Sequence, residues 1–83
     1  MISFIEFADY VVGSVDTLCE NGMIKNSLEC EKAAKQLKND FGGEEEVSDY
    51  PGGCYVHINT VYFNQNFTGV KQEESQPICG QGN

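Results

Sequence analysis

The densest run of β-branched and aromatic residues lies past the middle of the chain and reads YPGGCYVHINTVYFN. Two strand-like runs flank Asn59 and Thr60, which predicts a β-hairpin over residues 54–64 with these two residues as its loop. In that register Ile58 lies opposite Val61. A hairpin alone is only marginally stable in water, so its apolar face needs a cover from the rest of the chain.

The alternation of side chains along the strands sorts this hairpin into two faces. The apolar face comprises Cys54, Val56, Ile58, Val61 and Phe63. The other face carries Tyr55, His57 and Tyr62, which we interpret as a candidate contact surface because tyrosine offers a large area at a small loss of entropy. The competing interpretation is that a helix or the C-terminal tail covers this face.

The beginning of the chain follows a helical pattern, which predicts a helix over residues 4–20. Ser3 and Glu6 have the spacing of a capping box at its start, and Gly22 can take the left-handed conformation that ends a helix. At the helical period one face collects the apolar residues, which are Phe4, Ile5, Phe7, Ala8, Val11, Val12, Val15, Leu18 and Cys19. The opposite face is acidic, which favours packing on the core over binding to a membrane surface.

A second helix is predicted over residues 27–40, because Asn26 suits the N-cap position and two glycines follow the end. Its apolar stripe comprises Cys30, Ala33, Ala34, Leu37 and Phe41. Glycine and glutamate dominate residues 42–49, which predicts a solvated loop. Residues 65–76 are polar and predict loops, with a short strand at 70–72 as an alternative.

These elements predict an α+β fold in which two amphipathic helices pack on one face of a β-hairpin, or of a small three-stranded antiparallel sheet if the short strand forms. The 83 residues are expected to form a single domain with a loose tail at 80–83. A chain of this length buries only about 60% of its unfolded surface, so its core is small and is commonly reinforced by disulfides or a metal.

Four cysteines, at positions 19, 30, 54 and 79, are available for that reinforcement and allow three pairings. The favoured pairs are Cys30 with Cys54 and Cys19 with Cys79. The main rival joins Cys19 with Cys30 and Cys54 with Cys79. Zinc is disfavoured because no C-x-x-C pair is present and because Cys54 and His57 point to opposite faces of their strand. We therefore predict two disulfides, no metal and no other cofactor.

Two disulfides predict an oxidising compartment rather than the reducing cytosol. Secretion, an organelle lumen such as the thylakoid lumen, and a virus particle would each provide one. The first residues, MISFIEFAD, lack the pattern of a secretory leader, so we expect that any leader has been removed or never existed.

The charge of the chain narrows the class of partner. Acidic residues outnumber basic ones by 13 to 5, for a net charge of -8. This balance disfavours nucleic acid and suits a basic protein partner. No apolar run approaches the roughly 20 residues that cross a bilayer, so no direct membrane insertion is expected.

Residues suited to catalysis are scarce. His57 is the only histidine, and a thiol nucleophile beside it would need a free, exposed cysteine. We therefore predict that the protein is not an enzyme, and a cysteine-dependent enzyme is the least favoured alternative. Asn66, Phe67 and Thr68 form a sequon on a predicted loop, which makes Asn66 a candidate glycosylation site.

Five short segments stand out when the chain is read as a whole: CENG from Cys19, CEKAA from Cys30, YPGGCY from Tyr50, VYFN from Val61 and PIC from Pro77. Together they resemble a small four-cysteine module that recurs in predicted proteins of marine algae and other protists. The resemblance implies a stand-alone folding unit attached to larger proteins or assemblies, in algae or in viruses that infect them, and it assigns no activity. The QLK segment at 36–38 departs from the Leu-Gly expected there. The helix predicted at 4–20 lies outside the resemblance and would be this protein's own docking or capping addition.

We therefore predict a non-catalytic accessory or structural interaction module within a larger protein assembly, whose partners are other protein subunits. The rigid scaffold, the acidic exterior and the scarcity of catalytic residues favour this function. The alternative is a secreted domain that binds a glycan or a small ligand through Tyr55, His57 and Tyr62.

Overall fold

Residues 10–80 are described by the structure, which is a computed structural model. Within that range the chain forms one helix and a mixed sheet of five strands. The elements are β1 (Tyr10–Val12), α1 (Ser27–Leu37), β2 (Asp40–Glu45), β3 (Gly53–His57), β4 (Thr60–Asn64) and β5 (Ser75–Gly80). The strand order is β1-β5-β3-β4-β2, in which β2 and β4 are parallel and the other neighbours are antiparallel. The predicted fold, two helices on a hairpin, is therefore wrong.

The predicted hairpin is present as β3 and β4, but its turn is displaced by one residue. The turn residues are Ile58 and Asn59, whose φ angles of 48° and 69° are both positive, as a type I′ turn requires. The register pairs Val56 with Val61 rather than with Phe63. Partners shift by two positions, so each residue keeps its predicted face except Ile58, which is 66% exposed at the turn.

The helix predicted over residues 4–20 is contradicted in its described part, and residues 4–9 lie outside the described range. Tyr10–Val12 form β1 instead and pair with β5. Asp16 has a φ of 61°, which an α-helix does not contain. β-branched and aromatic residues suit strands, and pairing with a distant strand satisfies backbone groups in a way that local periodicity does not reveal.

The second predicted helix forms as α1 and ends at Leu37 rather than at Asp40. Asn26 is its N-cap, and the Asn26 Oδ1 accepts a hydrogen bond from the Glu29 backbone N–H at 3.1 Å. Lys38 ends the helix in the left-handed conformation, with a φ of 62°. A left-handed residue commonly ends a helix, and the chain then turns into β2.

The segment predicted as a solvated loop at 42–49 contains most of β2 instead. Glycine and glutamate are poor strand formers, but β2 is an edge strand, where charged side chains are tolerated. Glu45 and Gly53 flank Asn64 on its two sides in the sheet. Residues 46–52, which we call the crossover segment, therefore join β2 to β3 by crossing the end of β4.

The C-terminal strand β5 was not predicted: residues 65–76 were expected to form loops because they are polar, and residues 77–79 were expected only to return to the core. Its first half pairs with β3 and its second half with β1. The alternative strand at 70–72 does not form, and Gly80 of the predicted tail belongs to β5, whereas residues 81–83 lie outside the described range.

The core lies between α1 and one face of the sheet, since α1 contacts β4, β2 and β3. It comprises Ile24, Cys30, Ala33, Ala34, Cys54, Val56, Val61, Phe63 and Ile78. Tyr10, Leu37 and Phe41 pack around it. The predicted apolar faces of α1 and of the hairpin thus supply most of the core.

Candidate functional site

Both favoured disulfides are present, and together they use all four cysteines. The Cα atoms are 5.3 Å apart in Cys30–Cys54 and 5.8 Å apart in Cys19–Cys79. Two disulfides in a domain of this size are consistent with an oxidising environment.

The two bridges lie on opposite faces of the sheet and differ in exposure. Cys30 and Cys54 are 0% and 1% exposed beneath α1, and we call their bridge the buried disulfide. Cys79 follows the buried Ile78 along β5, so its side chain points to the other face, where Cys19 meets it. These two residues are half-buried, and Cys19 lines a shallow groove open to solvent. We call their bridge the surface disulfide.

Four side chains, Tyr50, Tyr55, His57 and Tyr62, form an aromatic cluster on the face of the sheet opposite α1. The rings of Tyr50 and Tyr62 lie 5.7 and 5.6 Å from the Tyr55 ring, centroid to centroid. Tyr50 meets His57 edge-on at 5.3 Å. The structure thus brings together the three residues of the candidate contact surface and adds Tyr50 above them. Tyr55 is only 2% exposed, so a partner reaches His57 and Tyr62 but not Tyr55.

Tyr50 is held in the aromatic cluster by Asn64, a fully buried side chain at the end of β4. The Asn64 Nδ2 donates to the backbone carbonyls of Val47, Tyr50 and Pro51 at 2.9, 3.2 and 3.0 Å. Its Oδ1 accepts from the backbone N–H groups of Val47 and Asn66, both at 3.0 Å. One amide therefore fixes the whole crossover segment to the sheet, with its own polar atoms satisfied.

His57 is held by a chain of hydrogen bonds at the rim of the aromatic cluster. The hydroxyl of Ser75, a buried residue, donates to the Gln72 Oε1 at 3.1 Å. Because that proton is used, the His57 Nδ1 donates to the Ser75 Oγ across 3.1 Å. All four sulfur atoms are bonded in disulfides. The cysteine-dependent enzyme, which was the least favoured alternative from the sequence, would need a free thiol beside His57.

The Tyr55 hydroxyl donates a hydrogen bond to the Glu45 Oε2. Burial of the phenol raises the pKa of Tyr55 far above its usual value of 10.0, and the hydrogen bond and negative charge of Glu45 raise it further. Ionisation of this phenol in the native state is therefore strongly disfavoured.

Tyr55→Phe should make the protein less sensitive to alkaline unfolding. Above pH about 10 the phenol of an unfolded chain loses its proton while native Tyr55 keeps its own, so each further pH unit favours unfolding by about 1.4 kcal/mol. Tyr55→Phe has no phenol at this position, so this part of the pH dependence of stability disappears. Urea unfolding between neutral and strongly alkaline pH measures it, and Tyr62→Phe is the control because it keeps Tyr55. Equal alkaline sensitivity of Tyr55→Phe and the unsubstituted protein would contradict the expectation.

Exposed apolar side chains are concentrated near the start of the described range. Val11, Val12, Val15 and Leu18 are between 36% and 52% exposed, and we call them the apolar strip. Other exposed apolar residues are dispersed over α1, the hairpin turn and the loop after β4. The apolar strip was expected to lie inside the core as a helix face, and the structure places it on the surface.

The apolar strip is attached to the sheet through β5. Val11 pairs with Cys79 in the β1–β5 ladder. Beyond the ladder the Gly13 N–H donates to the Pro77 carbonyl at 2.9 Å, and the Asp16 N–H donates to the Ser75 carbonyl at 3.1 Å. At the far end of the strip, the surface disulfide bonds Cys19 to Cys79 of β5.

The two edge strands, β1 and β2, differ in how they are protected from pairing with another chain. β2 carries Glu44 and Glu45 and a bulge between Phe41 and Gly43, features that discourage such pairing. β1 carries no charged residue, and its outer side pairs with no strand among residues 10–80. Charged residues and a bulge therefore protect β2 but not β1.

Other kinds of site find less support in the described part of the chain. No group of His, Cys, Asp and Glu side chains there is arranged to hold a metal ion, and no helix there has the length and apolar character to span a bilayer. The candidate glycosylation residue, Asn66, is half-buried after β4, and its Oδ1 accepts from the Thr68 backbone N–H at 3.1 Å and the Thr68 hydroxyl at 2.8 Å. Glycosylation of Asn66 stays a prediction.

Comparison with protein-family models, with curated proteins and with solved structures finds no match for this chain. The resemblance to a four-cysteine module of algae and other protists therefore stays a prediction. Function has to be argued from the geometry of the aromatic cluster, the two disulfides and the apolar strip.

Proposed function

We propose that the protein is a non-catalytic interaction module of a larger protein assembly, and that it docks on another subunit through the apolar strip. The exposure of four apolar side chains carries this proposal: Val11 and Val12 on the two faces of β1, and Val15 and Leu18 in the segment that follows it. Exposed apolar patches mark interaction sites.

Charge around the apolar strip supports a partner of particular chemistry. Asp16 and Glu20 are exposed beside it, and no lysine or arginine precedes Lys25 in the sequence. A complementary surface would present an apolar channel with a rim of lysine and arginine, since complementary rim charges speed association and exclude wrong partners. The net charge of -8 extends this attraction beyond the strip.

The two cross-links suit a module that keeps one shape while it holds a partner, because a surface that is ordered in advance loses less entropy on binding. We propose that the module folds where disulfides form, such as outside the cell, in an organelle lumen or in a virus particle. The aromatic cluster offers less to a glycan, because its central ring, Tyr55, is 2% exposed.

Site-specific photo-cross-linking in the cells that express the protein tests this function. A photoreactive amino acid at Val11 or Val15 should give one stoichiometric adduct with a different protein, whereas the same amino acid at Val70 should not. Val70 is a matched control because it is 50% exposed and lies in the loop before β5. Equal cross-linking from Val70, or adducts only with a second copy of this chain, would contradict the proposal.

Val11→Asp should weaken binding to the cross-linked subunit by about tenfold to a hundredfold, because it places a charge in the apolar contact. Val70→Asp introduces the same charge outside the apolar strip and should leave the dissociation constant unchanged. Isothermal titration calorimetry with the purified subunit measures both. If the two variants bind equally well, the apolar strip is not the docking surface.

A further inference from the structure

We propose that the surface disulfide is a reducible latch, which a dithiol reductant opens while the buried disulfide stays intact, and which releases the apolar strip from the sheet when it opens. The reduction itself depends on the exposure and placement of the two bridges. An effect of this release on docking rests on the proposed function, in which the apolar strip is the contact surface.

Access of a reductant distinguishes the two bridges. Thiol–disulfide exchange requires an attacking thiolate to reach a sulfur atom. Cys30 and Cys54 are closed off between α1 and the sheet, at 0% and 1% exposure. Cys19 and Cys79 are half-buried on the other face, and Cys19 lines a groove open to solvent. A reductant therefore reaches the surface disulfide in the folded protein but reaches the buried one only after α1 leaves the sheet.

The segment held by the surface disulfide buries little apolar surface. Its apolar side chains from Val11 to Leu18 are exposed, so they contribute little burial. Three residue pairs join β1 to β5, and Gly13 and Asp16 add one backbone hydrogen bond each. The Gly13 carbonyl also accepts from the Gln76 side chain at 3.0 Å, and the Tyr10 hydroxyl donates to Glu29 at 2.8 Å. Segments with few buried apolar contacts open at a low free energy. Once the bridge is broken, the segment has lost its covalent link to β5, and noncovalent contacts must hold it.

The rest of the domain does not depend on this segment for its core. The buried disulfide, α1 and strands β2 to β5 pack together through buried residues from Ile24 onward, and Tyr10 packs against this core as a partly buried residue. Cleavage of the surface disulfide should therefore produce local release rather than unfolding of the whole domain.

The exchange proceeds in two steps, each of which forms one S–S bond and breaks another. A thiolate of the dithiol attacks the Cys19 Sγ, the bond to the Cys79 Sγ breaks, and Cys79 leaves as a thiolate that takes a proton from water. The second thiolate of the reductant then displaces Cys19, which also takes a proton, and the reductant ends as its own disulfide. Two electrons pass from the dithiol to the protein.

Dithiothreitol is the probe for this latch, used on the purified protein without denaturant and followed by alkylation and peptide mapping. Cys19 and Cys79 should be alkylated at least about tenfold faster than Cys30 and Cys54. Hydrogen exchange should quicken at the Gly13 amide, while amides of β3 and β4 keep their protection. Equal alkylation of all four cysteines, or selective reduction without faster exchange at Gly13, would overturn the proposal.

A variant without the bridge provides the matched control. Cys19→Ser with Cys79→Ser should show fast exchange at Gly13 and Asp16 before any reductant is added, with β3 and β4 still protected. Global loss of protection in this variant would also overturn the latch. These measurements need no partner protein. If the latch opens as described but Val11 cross-links to no other subunit, the proposed function is disproved while the latch stands.

Discussion

Replacement of both Cys30 and Cys54 by alanine should lower the free energy of unfolding by about 4 to 5 kcal/mol, the largest loss that we expect from any change to the chain. The bridge closes a loop with a sequence separation of 24, which corresponds to about 3 kcal/mol of chain entropy. Loss of two buried sulfurs leaves a cavity in the core and accounts for the remainder. Urea unfolding followed by circular dichroism, under non-reducing conditions, measures the difference.

The matched control is the double alanine variant of Cys19 and Cys79. Chain entropy alone would rank this bridge first, because its sequence separation is 60, which corresponds to about 4 kcal/mol. We expect a smaller loss, of about 2 to 3 kcal/mol, because the freed segment regains entropy in the native state and no core cavity forms. If this variant loses more stability than the Cys30 and Cys54 variant, the length of the closed loop rather than burial determines how much each bridge contributes.

Asn64→Ala should be the most damaging single substitution of a polar residue, with an expected loss of about 3 kcal/mol. Asn64 is 0% exposed and donates to three backbone carbonyls while accepting from two backbone N–H groups. Alanine would leave these five groups without their partner beneath the crossover segment, and each buried group left unsatisfied costs about 1 to 3 kcal/mol unless water reaches it. Urea unfolding gives the loss of stability.

The same variant should also disturb the aromatic cluster, because Asn64 holds the carbonyl of Tyr50 and thereby places its ring over Tyr55. Near-ultraviolet circular dichroism reports this change in tyrosine packing. Gln65→Ala is the control, since Gln65 is the next residue and is exposed, and its side chain donates one hydrogen bond, to the side chain of Glu44 at 2.8 Å. It should change stability by no more than about 0.5 kcal/mol. Equal losses from the two variants would contradict the role of Asn64.

The parts of the fold that the sequence predicts correctly are those specified by neighbouring residues. Asn26 followed by Glu29 marks the start of α1, and the alternation in the hairpin assigns Val56 and Val61 to one face. The observed pairing of the cysteines was the preferred one of several that the sequence left open, and the helix face assumed for Cys19 does not form. Helix caps, turns and strand alternation each depend on a few neighbouring residues, so they can be recognised in the sequence without the tertiary structure.

The parts that the sequence does not predict depend on partners far away in the chain. Tyr10–Val12 has both helical period and strand composition, and only pairing with β5 decides between them. The glycines and glutamates of β2 are stabilised by β4 and by the core contact of Phe41. The apolar strip was missed for the same reason, because a strand at the edge of a sheet exposes residues that a packed helix would bury.

The candidate contact surface was predicted in part. The hairpin alternation correctly groups Tyr55, His57 and Tyr62 on one face. It gave no sign that Tyr50 would cover them, since that depends on Asn64 and on the crossing of β4. An asparagine directly after a run of strand-forming residues is compatible with many roles, and only the parallel pairing of β2 with β4 places the crossover segment above it.

Peptide mapping of the native protein, digested without reduction, most directly tests whether two cross-links of unequal exposure support this small mixed sheet. We expect one linked peptide that joins Cys19 to Cys79, a second that joins Cys30 to Cys54, and no free thiol. Peptides that join Cys19 to Cys30 or Cys54 to Cys79, or reduced cysteines in the native protein, would contradict it.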